Sequence, residues 1–165
     1  MSILLIALKF QSYFYFQKYL CKSVLSVSKQ FTLGKEERLK SRKQIEQLFA
    51  KGKSIAITPF RVYFLINEML NAQRSMFNVQ FGVGVSAKNF KKAVDRNRIK
   101  RLTREAWRLQ KTDLSEKIKT TQKQLNVFFI YTGKELPDFT TVKEKVAVAL
   151  KKLADKIDEN ISANS

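Results

Sequence analysis

Arg96, Arg98, Lys100, Arg101, Arg104 and Arg108 crowd into one short stretch, with Lys92 just ahead of them and Asn97 among them. A guanidinium is a permanently charged planar fork that grips phosphate oxygens two at a time. An amide such as Asn97 both donates and accepts, which suits a base edge or a ribose 2′-hydroxyl. The chemistry open to these residues is recognition of a polyanion. Residues 88–111 hold ten bases against Asp95 and Glu105 alone, so the mixed-sign i, i+4 pairing that supports an ordinary solvated helix face is missing.

Other chemistries lack their residues. The chain has no His and one Cys, Cys21, which excludes a His or Cys zinc cluster, a Ser-His-Asp triad, a Cys-His pair and a disulfide within the chain. The last absence fits a reducing cytoplasm. Its 14 acids are mostly interleaved with bases, which argues against a two-metal nuclease site. No catalytic residue and no metal site built by the protein alone are therefore expected. A formal charge of +18, from 32 Lys and Arg, makes nucleic acid the first partner to consider and an anionic membrane the second.

The basic stretch needs an element to display it. On a helical wheel of about 100° per residue, Ile99, Leu102, Ala106 and Leu109 share a dry side, while Asn97, Arg101, Arg104 and Arg108 gather opposite, flanked by Lys100, Arg96 and Arg98. The spacing predicts a long helix over about 90–111. Ahead of it, VQFGVGVS puts Val79, Phe81, Val83 and Val85 on one strand face and Gln80, Gly82, Gly84 and Ser86 on the other. Those glycines have two readings, close packing or a bulge on one hand and a bare sheet surface on the other.

Further upstream, Ser41 and Gln44 form a capping-box pattern, Ile45, Leu48 and Phe49 an apolar stripe, and Gly52 stands where a helix ends, which predicts a first helix over 41–51. FRVYFLI alternates as a strand, with a hairpin partner at Ile55–Ile57 and a polar loop over 67–77 after it. Downstream of the basic helix come a polar stretch, then LNVFFIY at 125–131 as a buried strand. A last helix opens on a capping box of Thr141 and Glu144 and carries the stripe Val142, Val146, Ala149, Leu150, Leu153 and Ile157. This order predicts a two-layer α/β sandwich of about four strands and three helices, in a single domain over 31–158 with a polar tail at 159–165. Residues 1–30 are apolar and aromatic with four Lys and no acid. They match neither a secretory signal nor a spanning helix and are expected to be an extension, or translated sequence ahead of the true start.

The segment FGVGVSAKNFKKAVDRNRIKRLTREAW, with Arg96-Asn97-Arg98 at its centre, resembles the signature of the protein subunit of bacterial ribonuclease P. TLGKEERLKSRKQIEQLFAKGK is similar to that family's N-terminal region, and the likeness spans roughly residues 31–155. The resemblance implies a small basic cytoplasmic protein, not a membrane protein, that joins a large catalytic RNA and helps it remove the 5′ leader of precursor tRNA. It implies that hydrolysis belongs to the RNA and its bound Mg²⁺, and that no stable protein partner is needed. It also implies a sheet with a left-handed βαβ crossover, like a domain of a ribosomal small-subunit protein, where sequence rules alone predict the right-handed form seen in about 98% of cases.

By the same resemblance, the basic helix faces the catalytic RNA, and the first helix and open sheet face form a cleft for the single-stranded leader. Phe49 and Tyr63 stand at the family's leader-contacting aromatics, while Ile45 stands where other members can have Phe and can pack on a base but not stack. Ser86 and Lys88 would add a hydroxyl and a cation. Core packing stays open as the alternative for Phe49. The alternative for the whole chain is a ribosomal-type RNA-binding protein without leader recognition.

Overall fold

The computed structural model describes residues 32–68, 79–121 and 123–162, and the fold is that of the unit Leu33–Ser165. The expectations for residues 1–30 and for most of the 67–77 loop lie outside the described residues. The described residues form four helices and four strands in the order α1 (Arg42–Lys51), β1 (Lys53–Ile57), β2 (Phe60–Glu68), β3 (Val79–Val85), α2 (Ala93–Gln110), α3 (Thr112–Thr120), β4 (Lys123–Tyr131) and α4 (Phe139–Ser162). The strands form one sheet in the order β1-β2-β4-β3, antiparallel except for the β3–β4 pair.

Hydrophobic alternation decides which face is covered. Phe60, Val62 and Phe64 of β2, Leu125, Val127 and Phe129 of β4, and Val79 and Phe81 of β3 are all buried and all on one side. Buried residues of α2, α3 and α4 join them in one core. Within it the Phe81 ring stacks on Trp107, with centroids 4.4 Å apart and planes 13° off parallel, and Phe129 meets the same indole edge-on. Replacing Trp107 with Ala would cost about 3–5 kcal/mol, from lost burial plus the cavity left behind.

Several local expectations need correction. The stretch after the basic helix is itself a helix, α3, because Leu114 and Ile118 sit four apart and both reach the core. Polar residues around them hide that two-residue stripe. Ser41 does occupy the N-cap of α1, yet its hydroxyl makes no capping bond; its carbonyl accepts from Ile45 N–H at 3.0 Å. The cap of α4 is Asp138 rather than the Thr141–Glu144 pair, since its carboxylate accepts from both the N–H and the hydroxyl of Thr140. α4 then runs to Ser162, past the expected boundary at 158.

Gly52 ends α1 with extended backbone, φ −76°. Its role is close approach: a Cβ there would press on the Leu48 carbonyl and lie 3.0 Å from the Phe64 carbonyl. That closeness brings α1 down on the sheet face opposite the core helices. The β1–β2 turn is two residues, Thr58 and Pro59, joined by a cis peptide bond. Finally, the stretch Glu37–Leu39 runs along the β3 edge, with Phe81 N–H donating to Glu37 O at 2.7 Å and Leu39 N–H to Phe81 O at 3.0 Å. Lys111 Nζ holds the Glu37 carboxylate at 2.5 Å where both side chains are largely buried, which fastens this strap to the end of α2.

Candidate nucleic-acid interface

The dry side of α2 is formed by Ile99, Thr103, Ala106 and Trp107, all buried. Relative to the sequence reading it is rotated toward Trp107, and Leu109 is 38% exposed. A buried indole stacked on Phe81 sets the helix's rotation more strongly than a leucine could, because it removes far more apolar area from water. The Thr103 hydroxyl is satisfied by Ile99 O at 2.8 Å.

That rotation sorts the expected RNA-binding residues. Lys92, Asn97, Arg98, Arg101 and Arg104 are exposed, and Lys100 is half-buried. Arg96 turns back instead: its guanidinium donates to Phe90 O at 2.8 Å and Lys91 O at 2.6 Å, tying the loop before α2 to the helix's first turn. Arg108 pairs with Glu105 at 2.5 Å. The hydrogen bond from Arg108 holds the Glu105 carboxyl below its ordinary range and raises the guanidinium in return, while partial burial opposes both shifts. Asp138 is likewise held low, first by the Thr140 hydroxyl, then by backbone N–H groups, with a smaller pull from Arg98. The free part of the stripe is thus centred on Asn97, Arg98, Arg101 and Arg104.

The second expected surface is the sheet face away from the core helices. Register fixes its rows: Ser54, Tyr63, Phe128 and Gly82 stand side by side, and Ala56, Arg61, Ile130 and Gly84 form the next row. Phe49, 42% exposed, reaches down from α1 and meets Tyr63 edge-on at 4.9 Å and Phe128 at 5.4 Å. Core packing is therefore the wrong account of Phe49, while Leu48 beside it is fully buried. The glycines resolve as close packing: a Cβ at Gly84 would lie 2.9 Å from the Phe128 ring, and one at Gly82 would be closer still. The surface over them is aromatic, not bare.

Ile45 lies one turn before Phe49 and borders a concavity shared with Gly82 and Phe128. Ser86 and Lys88 are exposed in the loop after β3, two side-chain rows from Tyr63, or roughly 13 Å along the strand at about 3.3 Å per residue. There the Ser86 hydroxyl accepts the Lys88 N–H at 3.2 Å. Two residues were missed in the sequence. Arg61 carried a signal, since alternation already placed it on the Tyr63 side. Phe128 carried none, because a continuous apolar run does not say which member faces which way.

An exposed arginine stripe and a partly exposed aromatic cluster, in a chain charged at +18, are two means by which proteins hold RNA. The sequence profile of the family described as Ribonuclease P matches residues 33–154. The chain belongs to the ribonuclease P protein family. A ribonuclease P protein component from Porphyromonas gingivalis is 38% identical over 81% of this chain and 95% of its own length. Another from Caldanaerobacter subterraneus is 30% identical over 70% of this chain and 87% of its own length. Among solved structures, the ribonuclease P protein from Thermotoga maritima is 31% identical with a TM-score of 0.53, covering 70% of this chain and 96% of that one. The Staphylococcus aureus protein, 23% identical with a TM-score of 0.56 over 72% and 96%, shows the shared fold.

As a ribonuclease P protein, this chain is the RNA-binding component of the enzyme that processes tRNA 5′ ends, and it works with the ribonuclease P RNA. No helix among the described residues is long and apolar enough to cross a membrane. Among the described residues no three or more acidic, His or Cys side chains are grouped so that they could hold a metal ion.

Proposed function

We propose that the outer face of α2 binds the folded ribonuclease P RNA, and that the cleft between α1 and the sheet takes the single-stranded 5′ leader of precursor tRNA in the cytoplasm. The observation that supports the cleft is the group Phe49, Tyr63 and Phe128: the Phe49 ring meets both of the others, which are cross-strand neighbours, on a face that the core helices leave open. Apolar rings at an accessible position bind bases by stacking, whatever the sequence, at about 1–3 kcal/mol per base. Arg61 in the next row, and Ser86 and Lys88 beyond it, extend the track toward the backbone of the same strand.

On this reading the protein's contribution is electrostatic and positional. Exposed arginines on α2 displace condensed counterions from RNA phosphates. The cleft adds affinity for precursor that mature tRNA, lacking a leader, does not receive, so product leaves more readily than substrate. Any Mg²⁺ needed for hydrolysis is held by the RNA. The test is precursor-tRNA cleavage at near-physiological Mg²⁺ with ribonuclease P RNA alone, protein alone and both. Activity confined to the mixture, together with a precursor-over-mature preference that Tyr63→Ala abolishes, is the expected result. Equal stimulation by the wild type and Tyr63→Ala would leave only the RNA-binding helix.

A further inference from the structure

The helix that carries Phe49 has little hold of its own. Among the ten residues of α1 only Leu48 is buried, and the N-cap makes no side-chain bond. So short a helix is marginal alone in water, and its placement is set by whatever pins its two ends. At the C-terminal end this is Gly52, so close to the Phe64 carbonyl that a Cβ would lie 3.0 Å from it. At the N-terminal end the chain enters α1 from the strap, residues 33–39, and the strap must itself be held.

That hold converges on one carboxylate. Glu37 Oε1 accepts from Lys111 Nζ at 2.5 Å, and Oε2 accepts from the Gly34 N–H at 2.9 Å. The second bond closes the turn in which the strap begins. The first spans 74 positions of sequence and reaches the residue where α2 ends and α3 starts. With the Lys111 side chain 7% exposed and that of Glu37 15%, water screens the attraction little, and removing the ammonium would strand a carboxylate largely out of water.

The pair supplies something that the backbone does not. Both strap bonds to β3 are made by the single residue Phe81, and Leu39, buried beside Gly82, sits at that same crossing. Contacts gathered at one crossing fix where the strap passes and leave its tilt free, as a hinge does. Lys111 adds a point away from that axis, on another layer of the fold.

We infer that Glu37 and Lys111 are positioning residues for leader recognition: their pair fixes the N-terminal end of α1 from α2, and so holds Phe49 against Tyr63 and Phe128. The inference rests on the leader-cleft reading above and deepens it, assigning part of its specificity to two residues that do not bind RNA themselves. Lys111 is buried, and Glu37 carries the same sign of charge as a phosphate. Because Lys111 ends the helix that bears the arginine stripe, the pair also sets how the two RNA-binding surfaces lie relative to each other.

Two measurements on the full chain test this with Lys111→Met, which keeps the aliphatic stem and drops the ammonium. In the free protein, NMR cross-peaks between the Phe49 and Tyr63 rings should weaken, while those between Phe81 and Trp107 in the core stay as they are. In the assembled holoenzyme, preference for precursor over mature tRNA should fall by about fivefold or more, the loss of roughly one stacked base. Affinity for the ribonuclease P RNA and its salt slope should keep their wild-type values.

Unchanged ring contacts or an unchanged preference would overturn the proposal. Equal losses of preference and of RNA affinity would do so too, by making the pair a support of the whole fold. Should Lys111→Met fail to fold, Glu37→Gln combined with Lys111→Met removes both charges at nearly constant volume and strands neither, and the same readings apply. If the wild type itself shows no precursor preference, the leader reading fails on its own account, and the ring cross-peaks of the free protein alone decide whether the pair places α1.

Discussion

The outer face of α2 and the open face of the sheet differ in how their residues come together. On α2, Asn97, Arg98, Arg101 and Arg104 are neighbours because each lies three or four residues from another of them on one helix, and nothing else in the fold is needed to gather them. On the sheet, Phe49, Tyr63 and Phe128 come from three elements and meet only through α1 docking and the β2–β4 register. The first surface works through charge, is long-ranged, and weakens with salt. The second works through ring contact and depends on a geometry that a small displacement destroys. A chain can tolerate drift in the first far better than in the second.

Removing the charges tests the contrast most severely. Arg98→Gln, Arg101→Gln and Arg104→Gln together should weaken binding to ribonuclease P RNA by on the order of a hundredfold at low salt and reduce the slope of log K against log[salt] by about 2–3. Binding measured across a salt series checks this; an unchanged slope would place the RNA elsewhere. Tyr63→Ala should leave that slope intact and cost about tenfold in affinity for precursor over mature tRNA. A loss that grows equally for both substrates would make Tyr63 a fold residue instead.

Arg96 divides the two kinds of role within one motif. Because its guanidinium serves Phe90 O and Lys91 O, Arg96→Gln should lower stability by about 1 kcal/mol, seen in urea melts, with little change in salt slope. Arg98→Gln should do the reverse. The smallest effect concerns Asp138. Its carboxyl is depressed in the fold, so its contribution is present above the ordinary aspartate range and disappears as pH falls through the lower folded value. Asp138→Ala should therefore lower Tm by a few degrees at most at neutral pH and not at all in strong acid, and thermal melts at the two pH values decide it.

What could be read from the chain divides along the same line. The basic helix, the strands of alternating pattern and the stripe of α4 were legible because each rests on a local period, 3.6 or 2 residues, that side-chain chemistry prints directly on the sequence. α3 was missed because two apolar residues make too short a period to register. The Asp138 cap escaped because a competing Thr-x-x-Glu spacing followed it, and hydrogen-bond geometry, not spacing, chose between them.

By itself the sequence determined the charge, the lack of histidine, the family and the place of the arginine stripe. Only the tertiary structure decided that Trp107 sets the rotation of α2, that Arg96 faces inward while Arg98 faces out, and that Phe128 fills the space left by Gly82 and Gly84. Each of these depends on which distant residues share a row or a layer. Register and packing select that by burying the largest apolar area at once, and no local pattern records the outcome.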